Sequence, residues 1–146
     1  MAEALVCDLC EKLGIKERDP KALPGLTLAY IGDSVFEIVV RSTLVESGLN
    51  HVSDLNRIAT RMVSAKAQAA FAKTIEDSLE DDERDAYRRG KNANSTSIPK
   101  SASRVEYHTA TGFEALIGYL FLEGKKERIF EICEPLLKEA IAKKKS

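Results

Sequence analysis

Two long apolar segments, at 26–46 and 107–123, dominate the pattern of hydrophobic and polar positions along the chain. The first places Leu28, Ile31 and Val35 at helical spacing, so it predicts a helix with one broad apolar face. The second is apolar on nearly every side and predicts a helix that is buried along most of its length. We therefore expect the fold to be organised around these two helices.

Shorter amphipathic segments predict further helices around this pair, and no alternation of period two indicates a strand. Small polar residues are good helix starts, and glycine often ends a helix. We expect helices over residues 2–13, ending at Gly14, over 79–90 and over 125–144. Two further helices are expected between the first two of these, one beginning at Ser53 or Asp54 and one at Ser64. The sequence therefore predicts an all-α fold.

The composition fits a globular protein, and we expect one domain over residues 1–146. The chain is 44% hydrophobic and 31% charged, and no apolar run approaches the roughly 18 residues that cross a membrane. No secretory signal is recognisable at the N-terminus, so we expect a cytoplasmic protein. Cys7, Cys10 and Cys133 make neither a disulfide framework nor a complete zinc site, so a structural role is expected for them.

Charge is distributed unevenly, although the net charge is only −1. The acids between 76 and 85 are typical of a solvated face. The stretch 92–105 lacks periodicity, is rich in Ser, Asn and Thr, and has basic residues within it and just before it. Basic polar segments of this kind suit phosphate contacts, and a plain solvated loop is the alternative.

The two central helices each have one acid in an otherwise apolar interior. Gly32 and Asp33 interrupt the first, and Glu114 shares one face of the second with Thr111 and Gly118. A glycine inside a helix costs about 0.5–1 kcal/mol relative to alanine, so close approach of another backbone or of a ligand is the usual reason for it. The pattern predicts two carboxylates that face each other across a helix pair, as oxygen ligands suited to Mg²⁺ or Mn²⁺.

The segment Tyr-Ile-Gly-Asp-Ser-Val-Phe at 30–36 resembles the signature of the ribonuclease III family, and Gly-Phe-Glu-Ala-Leu-Ile-Gly at 112–118 resembles its second acidic motif. The resemblance extends over about 24–123, includes the basic segments at 61–68 and 87–94, and is closest to the short bacterial form that has the catalytic domain and nothing else. It implies a ribonuclease III-like helical bundle that hydrolyses phosphodiesters in double-stranded RNA with a divalent metal.

The resemblance also implies roles for the two acids. Asp33 and Glu114 would be catalytic residues and ligands of Mg²⁺, with Mn²⁺ possible. The wider family usually has further carboxylates where this chain has Ala29 and Thr111, which leaves the number of metals open. Glu37 is a candidate supplement, against the alternative of a solvated or salt-bridged side chain. A direct role of His108 also stays open.

The resemblance further implies a homodimer and an RNA partner, with ribosomal RNA precursor and maturation of large-subunit (23S) RNA ends as the expected process. Tyr30 corresponds to an aromatic residue that plugs a hollow on the partner subunit in longer relatives, and Phe36 is expected at the same interface. Because no separate RNA-binding module is expected, basic and polar residues of the catalytic domain would contact RNA. These are Arg57, Arg61, Lys66, Gln68, Arg88, Arg89, Lys91, Lys100 and Arg104.

Two other functions stay open at this point. The missing carboxylates at Ala29 and Thr111 favour a ribonuclease III-like domain that binds structured RNA without cutting it. The apolar helices alone would also suit an all-helical protein-interaction module with purely structural acids. A cleavage assay on duplex RNA separates the first from an enzyme, and the second predicts no affinity for RNA at low salt.

Overall fold

The computed structural model describes residues 4–94 and 103–143, and this part of the chain is helical without a strand. The helices are α1 (Ala4–Leu13), α2 (Gly25–Glu46), α3 (Val52–Val63), α4 (Ala65–Ile75), α5 (Asp81–Lys91), α6 (Arg104–Leu122) and α7 (Lys126–Lys143), with short 3₁₀ turns at Pro20–Ala22 and Glu76–Ser78. The predicted all-α fold is confirmed. Within these ranges, no helix combines the length and the apolar character needed to cross a bilayer.

Helix α6 is the centre of the core, and α2, α4, α5 and α7 pack around it. Between Thr109 and Leu120, every residue of α6 except Glu114 is buried. Phe113 of α6 packs edge-to-face against Phe36 of α2, with ring centroids 5.1 Å apart. The expectation of two central helices is therefore confirmed.

Phe36 requires a correction, because its side chain is 0% exposed. It fills the space between α2 and α6 in a single chain, so it does not lie at the surface where a partner subunit would contact it. Apolar periodicity alone does not separate an interface position from a core position on a helix that is apolar over most of its circumference.

Helix ends follow the predicted chemistry in most places. Gly14 adopts a φ of 67° directly after α1, and the Ser64 side chain accepts a hydrogen bond from the Ala67 N–H at 3.2 Å. Helix α3 begins at Val52, slightly before the predicted start. Helix α6 begins at Arg104, because the Ser103 and Glu106 side chains bond each other's backbone N–H groups in a capping box.

The sequence suggested that the acids at the start of α5 form a solvated face, but two of them are engaged in contacts with other helices. Glu83 is 2% exposed, and both of its carboxylate oxygens accept hydrogen bonds from Arg128 of α7, at 2.8 and 2.9 Å. The Asp82 carboxylate accepts a 2.8 Å hydrogen bond from the Tyr119 hydroxyl of α6. These two acids therefore connect α5 to its neighbours and fix its position against the core.

Candidate active site

The crossing of α2 and α6 is a contact between two backbones, made possible by two glycines. A methyl group on Gly32 would overlap the carbonyl oxygen of Glu114, and one on Gly118 would overlap the carbonyl oxygen of Leu28. Since residues 28 and 32 lie opposite 118 and 114, the two helices run antiparallel. The prediction that these glycines permit a close approach is confirmed.

This close approach places the Asp33 and Glu114 side chains next to each other. Asp33 is exposed on α2, whereas Glu114 of α6 is partly buried. Burial raises the pKa of Glu114 to about 9, with further contributions from a hydrogen bond to Asp33 and from its negative charge. Without a bound cation, Glu114 therefore holds a proton near neutral pH, and its carboxyl group is hydrogen-bonded to Asp33.

A divalent cation fits this pair of side chains. Two adjacent carboxyl groups, one open to solvent, offer the hard oxygen ligands that Mg²⁺ prefers, and Mg²⁺ usually keeps several waters of its own. A positive ion would also favour the ionised form of Glu114, against the burial and the Asp33 charge that raise its pKa. Among the described residues, no group of three or more His, Cys, Asp or Glu side chains could hold a metal, so this part of the chain offers a sparse ligand set.

Ala29 and Thr111 do not extend this ligand set. Ala29 is 7% exposed and Thr111 is 6% exposed. The Thr111 hydroxyl donates a 2.8 Å hydrogen bond to the Tyr107 carbonyl of its own helix, as hydroxyls within helices often do. Neither residue therefore adds an oxygen ligand to the Asp33–Glu114 pair at this crossing.

Glu37 and His108 differ in their positions. Glu37 follows Asp33 by one turn and forms a 2.6 Å ion pair with Arg41, which is the salt-bridged alternative considered for it. With Asp33 it lines an open depression of about 320 Å³. His108 lies six residues before Glu114, which places it on another face of α6.

The C-terminal end of α5, which carries Arg88, Arg89 and Lys91, packs against α6 about one turn before Glu114. A methyl group on Gly90 would lie 2.8 Å from the Thr111 carbonyl oxygen, so this end of α5 packs beside the turn of α6 that precedes Glu114. Arg88 is exposed here and pairs with Asp85 at 3.4 Å, and Lys91 lies 3.8 Å from Glu76.

Arg89 lies at the same end of α5 but has other contacts. Its Nε donates to Asp85 at 3.0 Å, and its Nη1 donates to the Leu23 carbonyl oxygen just before α2. The Gly25 backbone also packs against the Arg89 carbonyl. Arg89 therefore holds the start of α2 against α5, a role that the sequence analysis missed, since it grouped Arg89 with its neighbour Arg88.

The remaining basic positions are dispersed. Arg57 pairs with Asp54 at 3.5 Å, while Arg61, Lys66 and Arg104 are exposed on α3, α4 and the first turn of α6. Lys100 lies outside the described residues.

Gln68 requires a correction, because its side chain is 2% exposed and its Nε2 donates to the Val63 carbonyl at 2.9 Å. Its position inside the fold does not support the expectation that it contacts RNA. Gln68 lies in the first turn of α4, just after the bend where α3 ends, and its side chain points into the fold there.

The outer face of α2 is unusually apolar for an exposed surface. Tyr30 is 82% exposed, and Leu26, Ile38 and Val45 are 42%, 64% and 52% exposed. The four side chains extend along one side of the helix that also presents Asp33. Several exposed apolar side chains on one side of a helix are typical of a protein-interaction surface.

Comparisons with known proteins match this geometry. The Ribonuclease III domain model matches residues 26–125. Mini-ribonuclease 3 of Symbiobacterium thermophilum is 48% identical over 116 residues, which cover 80% of this chain and 89% of that protein. Mini-ribonuclease 3 of Enterococcus faecalis is 44% identical over 124 residues, covering 84% and 94%. A crystal structure of a Fusobacterium nucleatum protein superposes with a TM-score of 0.77 at 34% identity, over 84% of this chain and 99% of that one.

Proposed function

Because the chain belongs to the ribonuclease III family, whose members are endoribonucleases acting on double-stranded RNA, we propose that it cuts such RNA with the help of a divalent metal at the Asp33–Glu114 pair. The observation that carries the proposal is the juxtaposition of these two carboxyl groups where α2 and α6 touch. We treat residues 1–146 as one catalytic domain.

Asp33 and Glu114 would hold Mg²⁺, or Mn²⁺ in its place, and the family generally depends on divalent metal ions. A bound divalent ion supplies two effects, a lowered pKa of a coordinated water and neutralisation of charge that develops on the phosphate. Asp33 is open to solvent, so it lies where an RNA strand has access. Glu114, held in the wall of the site by the surrounding core, fixes the position of the second oxygen ligand.

Exposed cations near this pair would contact the RNA backbone. Arg88 and Lys91 extend from the end of α5, beside the turn of α6 that precedes Glu114. Arg57, Arg61, Lys66 and Arg104 would add contacts farther away. With a net charge of −1, the chain has no general attraction for nucleic acid, so binding depends on this local surface.

The apolar outer face of α2 would form the interface of a homodimer around Tyr30. In a symmetric dimer the same surface of both subunits is used, so each subunit would present one carboxyl pair along a common groove. Two such centres would suit a duplex, one for each strand. The exposure of Tyr30 together with Ile38 supports this arrangement.

As the natural substrate we propose ribosomal RNA precursor, with maturation of large-subunit (23S) RNA ends in the cytoplasm as the process. The support is the similarity to Mini-ribonuclease 3 proteins over about four-fifths of the chain. Incubation with precursor RNA and mapping of the product ends tests this part of the proposal. Cleavage of a random duplex but not of the precursor would contradict it.

The general proposal is tested with duplex RNA in the presence of Mg²⁺, of Mn²⁺ and of EDTA. We expect discrete products with either metal and none with EDTA. Binding of the duplex without cleavage under any metal condition would instead support the second candidate, a non-catalytic RNA-binding domain. The absence of carboxylates at Ala29 and Thr111 is the observation that favours that second candidate.

A further inference from the structure

We propose that Arg41 binds an RNA phosphate that flanks the cleavage point, and that Glu37 holds the Arg41 guanidinium in place for this contact. The inference deepens the proposed function and rests on it, since an RNA strand must first lie against the Asp33 face of α2. It assigns a binding residue outside the motifs that pointed to the carboxyl pair.

The positions along α2 place Arg41 on the same face as Asp33. Asp33, Glu37 and Arg41 follow one another at intervals of four residues, so their side chains line one side of the helix. Together with Ser34 and Ile38 they surround the open depression of about 320 Å³. Arg41 lies two turns from Asp33, about 12 Å along the helix axis at the usual rise per residue.

The Glu37–Arg41 ion pair leaves most of the guanidinium available. Arg41 Nη2 lies 2.6 Å from Glu37 Oε2, while the Arg41 side chain is 65% exposed. A guanidinium has five N–H donors in a planar fork that matches a phosphate. Exposed pairs at this spacing contribute little to stability, so the main effect of Glu37 is to restrict where the guanidinium lies.

The acidic side chains around the depression would repel an RNA strand, so a cation is needed there for RNA to bind. Asp33 and Glu37 of α2 and Glu114 of α6 are acids, and an RNA strand is itself a polyanion. Arg41 is a cation that lines the depression together with Asp33 and Glu37. Arg41, about 12 Å from Asp33 along the helix axis, would contact a phosphate that flanks the cleavage point and not the one that is cut.

A partner subunit is the competing occupant of this face. Ile38 is 64% exposed between Glu37 and Arg41, and Tyr30 is exposed farther along the same helix. A guanidinium that is covered in a dimer would contribute to subunit association and not to RNA binding. The experiment therefore measures both properties.

The test measures the affinity of the full chain for a mixed-sequence RNA duplex between about 50 and about 200 mM salt. All variants also carry Asp33→Asn, so that the RNA stays intact. We expect Arg41→Ala to weaken binding about tenfold at low salt and to reduce the log–log salt slope by about 0.7–0.9, the contribution of one phosphate contact. Arg41→Lys is expected to keep the slope, because the charge remains. Lys138→Ala is the matched control, since Lys138 forms a 2.9 Å ion pair with Glu134 at the same helical spacing on α7, and we expect it to change neither value.

Subunit association of each variant is followed by analytical ultracentrifugation. An Arg41→Ala protein that binds RNA with the parental slope overturns the inference, and weaker association of that protein would assign Arg41 to the subunit interface. If the parent shows salt-dependent RNA binding that Arg41→Ala leaves unchanged, only the inference fails. If the parent binds no duplex RNA at all, the proposed function fails together with it.

Discussion

Glu114 shows at the scale of single residues how the fold prepares this site. It is the one acid in the buried length of α6, and the backbone contact at Gly32 brings Asp33 beside it. Burial and the neighbouring acid both disfavour its ionised form. A carboxyl group in such surroundings is a candidate functional group, because a structural acid is normally paired with a cation, as Glu83 is with Arg128.

The raised pKa predicts how stability of the metal-free protein depends on pH. The pKa of Glu114 is raised from 4.5 to about 9 by folding, so the folded protein binds the extra proton between these values. The resulting stabilisation is complete below about pH 4.5 and is lost as pH rises towards 9. Urea unfolding in EDTA between about pH 4.5 and pH 9 should show a falling free energy of unfolding in the parent, and this fall should be absent from Glu114→Gln. Identical pH profiles for the two proteins would contradict the assignment.

Arg88 and Arg89 provide a second test at the residue scale, because adjacent residues of the same type have different surroundings. Arg88 is exposed, whereas Arg89 connects Asp85 to the Leu23 carbonyl. We expect Arg88→Ala to lower the salt slope of RNA binding by about 0.7–0.9 with little change in stability. We expect Arg89→Ala to reduce the free energy of unfolding by about 1–3 kcal/mol, because it leaves a part-buried carbonyl without its donor. If urea unfolding showed a loss of stability in Arg88→Ala and not in Arg89→Ala, and Arg89→Ala were the variant that lowered the salt slope, both roles would be refuted.

At the scale of elements, the sequence predicted the two central helices and their facing carboxyl groups, because helical spacing and interior glycines are local signals. It did not reveal that Phe36 and Gln68 face inward, since both depend on which helices pack against α2 and α4. The Glu83–Arg128 pair was likewise hidden, because its members lie 45 residues apart. Local patterns thus indicated the site, whereas long-range packing decided which neighbouring side chains reach the surface.

The glycine contact between α2 and α6 predicts a sharp effect of a single methyl group. Gly32→Ala would place its Cβ against the Glu114 carbonyl, and overpacking of this kind typically costs about 1–3 kcal/mol. Because the helices must move apart, we also expect cleavage activity to fall in the fraction that folds. Ser34→Ala, at an exposed position on the same helix, is the control and should leave unfolding by urea nearly unchanged. Parental stability of Gly32→Ala would show that the helices do not touch here.

At the scale of the whole molecule, the helices that carry the carboxyl pair, the basic residues of α5 and the apolar face of α2 pack against one another in a chain with almost no net charge. This combination suits a dimer that binds a polyanion over a limited surface. It also explains why overall composition gave no hint of RNA binding. The informative features are local, and only the fold brings them together.

The dimer is tested by Tyr30→Asp, which places a charge in the apolar face of α2. Tyr30 is 82% exposed, so the change should not disturb the core. We expect the variant to sediment as a monomer at concentrations where the parent is a dimer, and to bind duplex RNA more weakly. Parental sedimentation of the variant would place any dimer interface elsewhere.

The central claim is that the Asp33–Glu114 pair carries metal-dependent cleavage, and its most direct test is Asp33→Asn. Asparagine keeps the shape of the side chain and removes the charge that would hold a divalent ion. We expect cleavage of duplex RNA at saturating Mg²⁺ to fall by about a thousandfold, while circular dichroism and RNA affinity stay near those of the parent and Lys138→Ala cleaves normally. A folded Asp33→Asn protein that cuts RNA at the parental rate would contradict the account.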